Sequence, residues 1–347
     1  MTYDEIINSI RSCVNGNMID NDEMVAILRK HCCYYLLSKL PSQKQALQME
    51  LMANRLVINR RYKACADIFK QLADIPYAVI KGAVLSKQIY GSTAYRFSGD
   101  IDLLVSPNNA EAVKMILTNN GFVQGRIVDN EIVPYTRREL IYQRTFSHQL
   151  AAFVKATGDS LCPFLNIDVN TDIMWGESEV KTDMETFLSN TVSYEIDGIK
   201  LKKLAPEEEF IALCLHHYKD MNSIYLLSQG SLKLSLFCDI YYYIKNISLN
   251  IPELLSKSGN YKVLEYLHYC IYYTYVIFGD DFLHGLADTF KSPDGEALIK
   301  RVGLAKDEYH TWDDMLTYYS FTDYITKLES ILSSRDREKI ELNRKMM

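Results

Sequence analysis

The chain has 347 residues, 48% hydrophobic and 24% charged, an ordinary globular profile long enough for two or three cored domains. A formal net charge of −6 and a pI of about 5.7 argue against a dedicated binder of long nucleic acid, although a local basic groove stays open. The start, Met1 to Arg11, is acidic without an apolar run, so no secretory signal is expected. The most apolar stretch, Leu264 to Phe278, is interrupted by Glu265 and His268 and reads as a buried helix, with no membrane partner. Eight cysteines form no C-x-x-C pair and no zinc-like grouping, which predicts a reducing, cytoplasmic location.

Residues 1–74 read as helical throughout. Ile6, Ile7, Ile10 and Val14, then Met24, Val25 and Leu28, recur at helical spacing. Pro41 to Ala73 supports one long helix with a stripe of Leu47, Leu51, Met52, Leu56, Ile58, Ala66, Ile68 and Phe69. Arg55, Arg60, Arg61 and Lys63 on it read as a solvated basic face.

The character changes at Ile75-Pro76. Tyr77 to Ile80 is β-rich, Lys81-Gly82 makes a tight turn, and Ala83 to Tyr90 is a helix stopped by Gly91. Backbone N–H groups at such a helix start seat phosphate well, though an ordinary strand-to-helix turn reads the same way. Ser98-Gly99 then opens the strand Asp100 to Val105. Asp100 and Asp102 share one face of it, while Ile101, Leu103 and Val105 share the other. Two like charges on a half-buried face call for a cation, and hard carboxylate oxygens suit Mg²⁺; a strand end facing water is the competing explanation.

A helix over Glu111 to Thr118 ends at Asn119-Asn120-Gly121. Residues 126–146 give no clear pattern beyond one short helix. Residues 147–170 read as a hairpin whose second strand puts Asn166, Asp168 and Asn170 on one face. Tyr194 to Ile199 is a second hairpin with an Asp197-Gly198 turn. From Ala205-Pro206 onward the chain reads as helix, its tyrosine clusters at 241–243 and 269–275 belonging to the core.

The run Lys81-Gly82, Tyr90-Gly91, Arg96, Gly99-Asp100-Ile101-Asp102, with Asp168 later, resembles the DNA polymerase β-type nucleotidyltransferase superfamily, and within it a bacterial branch with Lys-Gly in place of Gly-Ser. Leu213-Cys214-Leu215-His216 and Cys238-Asp239-Ile240 fit that branch's helical part, so the resemblance spans about residues 75–245. Ala83 departs from it by lacking the hydroxyl after Gly82, and Asn170 by replacing a frequent His.

The resemblance implies an α+β fold: a small mixed or antiparallel sheet with flanking helices, divided as an N-terminal helical region 1–74, a catalytic domain 75–204 and a C-terminal helical domain 205–347. It implies catalytic and metal-holding roles for Asp100, Asp102 and Asp168 around two Mg²⁺ ions, with Mn²⁺ as a substitute. Lys81, Gly82, Arg96, Ser98, Gly99 and Lys219 become nucleotide-binding candidates. The expected partners are an NTP, ATP favoured, and an unidentified acceptor hydroxyl. Two other readings compete: an inactive nucleotide-binding regulatory or antitoxin-like partner, and a helical interaction protein with solvated aspartates.

Overall fold

The computed structural model describes every residue except Met18, Glu177 and Met347. It divides into two compact units, Leu51–Glu209 and a second made of Met1–Glu50 with Phe210–Lys345. These divisions fall inside two helices, Lys44–Ala64 and Pro206–Asn222. The sequence boundaries at 74/75 and 204/205 instead mark where helical and extended composition meet.

The first unit is α+β. Strands β1 (Tyr77–Ile80), β2 (Ile101–Val105), β3 (Val123–Val128), β4 (Glu131–Pro134), β5 (Phe153–Ala156) and β6 (Phe164–Asn170) form one mixed sheet in the order β1-β2-β6-β5-β3-β4. Only β2 and β6 run parallel; the other neighbours are antiparallel. A separate hairpin joins β7 (Thr191–Ile196) to β8 (Ile199–Leu204). Its Asp197 and Gly198 both have positive φ, the geometry that a two-residue hairpin turn requires.

Alternation along the central strands makes the sheet two-faced. Ile101, Leu103 and Val105 of β2 and Leu165, Ile167 and Val169 of β6 are buried in one core. Ile58 and Tyr62 of the Lys44–Ala64 helix and Cys65 after it join that core, as do Ile68, Phe69 and Leu72 further along the chain. Asp102, Asp168 and Asn170 occupy the opposite face.

Several local expectations change. The single helix over 41–73 is a 3₁₀ turn at Pro41–Gln43, a helix Lys44–Ala64 and a short helix Ala66–Gln71. Cys65 (φ −97°, ψ 2°) breaks the run, and the redirected chain buries Ile68 and Phe69. Met52 and Leu56, placed on the apolar stripe, are 64% and 45% exposed, because the buried face follows Asn54, Ile58, Arg61 and Cys65. Residues 126–146 contain the β3–β4 hairpin and the helix Arg137–Phe146. The strand expected from His148 begins at Phe153, preceded by one isolated Gln149–Asn170 bridge.

Among its described residues the second unit is helical but for a hairpin of two-residue strands, Arg301–Val302 with His310–Thr311, where the sequence pattern suggests helix. Tyr243, Tyr269 and Tyr273 are fully buried, as the core reading of the tyrosine clusters requires. The helix Leu264–Phe278 ends at Gly279 in the left-handed conformation. The Arg11 guanidinium donates to its terminal carbonyls at Val276 (2.8 Å) and Ile277 (3.0 Å), which otherwise lack intrahelical donors. Among the described residues, no helix is long and apolar enough to cross a membrane.

Candidate active site

The parallel pairing of β2 with β6 sets Asp102 directly opposite Asp168, Cα to Cα. Paired residues on neighbouring strands project to the same face, so two distant carboxylates meet there. Asp100 lies one residue before β2 and two before Asp102. Burial, reinforced by the Asp102 charge, raises its carboxyl above the usual range, while Lys81 and Arg61 pull the other way.

Lys81 is the nearest of those cations. On the other side of β2, Ile80 pairs with Asp102, which places Lys81 at the strand's end with Nζ 3.2 Å from Asp102 Oδ1. Both side chains are largely buried, at 14% and 12% exposed, so solvent screens the pair little. Lys81 has φ 58° and ψ −149°, a backbone region that side chains other than glycine rarely occupy. It precedes the helix Gly82–Tyr90 and gives it no side-chain cap.

Gly82 (φ +46°) packs close to the loop before β2: a Cβ on it would come within 3.2 Å of Ser98 Oγ. The Ser98 hydroxyl donates to the Asp100 carbonyl at 3.1 Å, a turn role that also orients the approach to the strand. The loop is held from behind. Asn54 Nδ2 donates to the Ala94 carbonyl at 2.8 Å, and Arg61 Nη1 donates to the Ser98 carbonyl at 2.6 Å. Arg61, read from sequence as part of a solvated face, is 7% exposed. Its signal was the spacing 54, 58, 61, 65, which puts a polar pair on the buried stripe.

Asn170 lies two residues after Asp168, on the same face of β6. Its Nδ2 donates to the Leu103 carbonyl at 3.2 Å and approaches Asp102 Oδ1 at 3.4 Å, while its Oδ1 accepts from Gln149 Nε2 at 2.8 Å. The amide thus steadies Asp102 and was not singled out as a positioning group. Arg96 and Gly99 lie in the tethered loop. Lys219 lies on Pro206–Asn222 in the helical unit, outside the group that Leu51–Glu209 assembles.

The donor set fits a hard divalent cation. Asp100, Asp102 and Asp168 offer only carboxylate oxygens, from a half-buried surface where burial, reinforced by the Asp102 charge, pushes the Asp100 carboxyl up.

A mixed sheet thus carries aspartates on two parallel neighbours, beside a glycine turn that opens a helix. The chain belongs to the family described as uncharacterised nucleotidyltransferase, whose profile matches residues 17–279 and so takes in helices of both units. No curated protein matches the chain. Among solved structures it is similar to an antigenic nucleotidyltransferase-like protein from Paracoccidioides brasiliensis, at 16% identity and a TM-score of 0.40, over 66% of this chain and 93% of that one.

Proposed function

We propose that the protein transfers a nucleoside monophosphate from an NTP to an acceptor hydroxyl, with release of pyrophosphate. The observation that carries this reading is the Asp102–Asp168 register, with Asp100 and Lys81 beside it. In this mechanism the first-turn N–H groups of Gly82 and Ala83 receive phosphate oxygens, aided by the positive end of the helix dipole. Lys81 offsets phosphate charge, and Ser98 and Gly99 shape the turn through which the triphosphate approaches. Arg96, in the loop tethered by Asn54, is a further candidate for phosphate contact.

Asp100, Asp102 and Asp168 would hold two divalent ions, Mg²⁺ or Mn²⁺, which when bound neutralise the triphosphate and acidify the acceptor hydroxyl. Asp168 accepts the hydroxyl proton on a carboxylate oxygen as the acceptor oxygen bonds to the α-phosphorus. The bond from that phosphorus to the bridging oxygen breaks, and pyrophosphate departs with the electron pair. Most of the rate enhancement then comes from positioning and charge neutralisation. The acceptor is a small molecule, a tRNA end or a protein side chain; ATP is the favoured donor and the cytoplasm the favoured compartment.

The test incubates the protein with each α-labelled NTP, Mg²⁺ or Mn²⁺ and a cell extract. Label transfer that Asp100→Asn and Asp168→Asn abolish supports the reading. NTP binding without transfer under any condition overturns it in favour of a regulatory partner, and absence of NTP binding overturns both.

A further inference from the structure

The helical unit holds a second group of metal-ligating side chains. His216, His217 and Asp220 lie on the helix Pro206–Asn222. At 100° per residue, Asp220 falls in angle between the two histidines, so all three project from one side of the helix. One ligand atom from each, a ring nitrogen or a carboxylate oxygen, lies within 4.8 Å of the others. His216 Nε2 is 3.3 Å from Asp220 Oδ2.

Behind them stands a fourth group. Asp239, on the helix Leu234–Asn246, places Oδ2 3.2 Å from His217 Nε2, and the two side chains are 2% and 0% exposed. A carboxylate bonded to one ring nitrogen of a histidine fixes the tautomer and ring orientation and raises the basicity of the other nitrogen. His216 and Asp220 are 21% and 20% exposed, which leaves an entry path from solvent.

We propose that His216, His217 and Asp220 bind a Zn²⁺-class transition-metal ion, with Asp239 as the positioning group behind His217. Two imidazoles and one carboxylate suit zinc better than the harder Mg²⁺. All three ligand atoms lie within 4.8 Å of one another, and His216 Nε2 and Asp220 Oδ2, at 3.3 Å, already match the roughly 3.4 Å between ligand atoms in a tetrahedral zinc site with bonds of about 2.0–2.1 Å. Three protein ligands leave the fourth position to solvent or an exogenous anion. The site does not rest on nucleotidyl transfer, because it shares no residue with Asp100, Asp102 and Asp168.

The full-length protein, stripped with EDTA, is incubated with zinc chloride and desalted, and metal per chain is read by mass spectrometry. The wild type and the triple variant Asp100→Asn, Asp102→Asn, Asp168→Asn should each retain one zinc per chain. Retention should fall by about tenfold or more in His216→Ala and Asp220→Asn. Zinc should also raise the melting temperature of the triple variant and leave that of Asp220→Asn unmoved. His216→Gln, conservative in size at a partly exposed position, replaces any variant whose circular dichroism shows misfolding. Three results would overturn the site: no zinc on the wild type, equal retention in the His216 and Asp220 variants, or loss in the aspartate triple variant alone. Either of the last two would leave His216–Asp220 and His217–Asp239 as structural hydrogen-bonded pairs only.

Discussion

Asp102 and Asp168 face each other, Cα to Cα, on the only two parallel neighbours of the sheet, although two helices, a hairpin and a further strand lie between them in the chain. If that juxtaposition performs the chemistry, neither carboxylate can be replaced by its neutral isostere. Asp102→Asn and Asp168→Asn should each lower transfer of labelled nucleotide by about 100-fold or more, the scale lost with one charge-stabilising group. Circular dichroism should stay unchanged. Transfer retained within a few-fold in either variant would remove that residue from the site.

Asp100 predicts a pH dependence. Its carboxyl is raised in the folded protein from a reference of 3.8, so between the two values the native state binds more protons than the unfolded one. Stability of the metal-free protein therefore falls as pH rises through that window, and the loss persists at neutral pH. Asp100→Asn should raise the melting temperature of metal-free protein at pH 7 and flatten its decline above pH 4. Mg²⁺ should stabilise the wild type more than the variant. A variant less stable than wild type at pH 7 in EDTA would contradict the electrostatic account.

Lys81 separates backbone strain from side-chain charge. Lys81→Ala removes the ion pair with Asp102 and keeps the strained φ of 58°, whereas Lys81→Gly removes both. Urea unfolding should find Lys81→Gly more stable than Lys81→Ala by about 1–3 kcal/mol. Both should lose transfer activity to a similar degree, because both lack the ammonium group. Equal stability of the two variants would mean that the turn is unstrained in solution.

Arg61 supports the site from the core side. Arg61→Ala should cost about 2 kcal/mol, since a hydrogen bond from a charged group, here to the partly buried Ser98 carbonyl, contributes roughly 1.5–3 kcal/mol. The released Ser98 carbonyl should also weaken NTP binding. The exposed neighbour Lys63 provides the contrast: Lys63→Ala should stay within about 0.5 kcal/mol of wild type. If the two substitutions act alike in urea titrations, the bond to Ser98 is not a support.

Much of the sheet was legible because a strand's alternation is local. Asp100 with Asp102, and Asn166 with Asp168 and Asn170, announced their shared faces through spacing alone, and Lys81-Gly82 announced a turn between strand and helix. The β3–β4 hairpin was not legible. Almost all of its residues are exposed or half-exposed, so no clean alternation of apolar and polar residues marks it. Arg61 was misjudged because its charge outweighed its place on the stripe of Asn54, Ile58 and Cys65. Buried Arg is rare unless paired, and its partner, the Ser98 carbonyl, is a backbone atom that no sequence pattern displays.

What the sequence by itself determined was therefore the set of groups and the faces they occupy: two aspartates on one strand, a third on another, a cation and a glycine at a helix start. Only the tertiary structure decided that β6 lies beside β2 in parallel, in the register that brings Asp168 opposite Asp102. It also decided that Asn54 and Arg61 reach the loop before Asp100, and that Asp239 backs His217. The physical reason is that alternation and helical period act between near neighbours along the chain. Strand order and register are set by burial of the whole sheet against its helices, a sum over contacts that no short stretch contains.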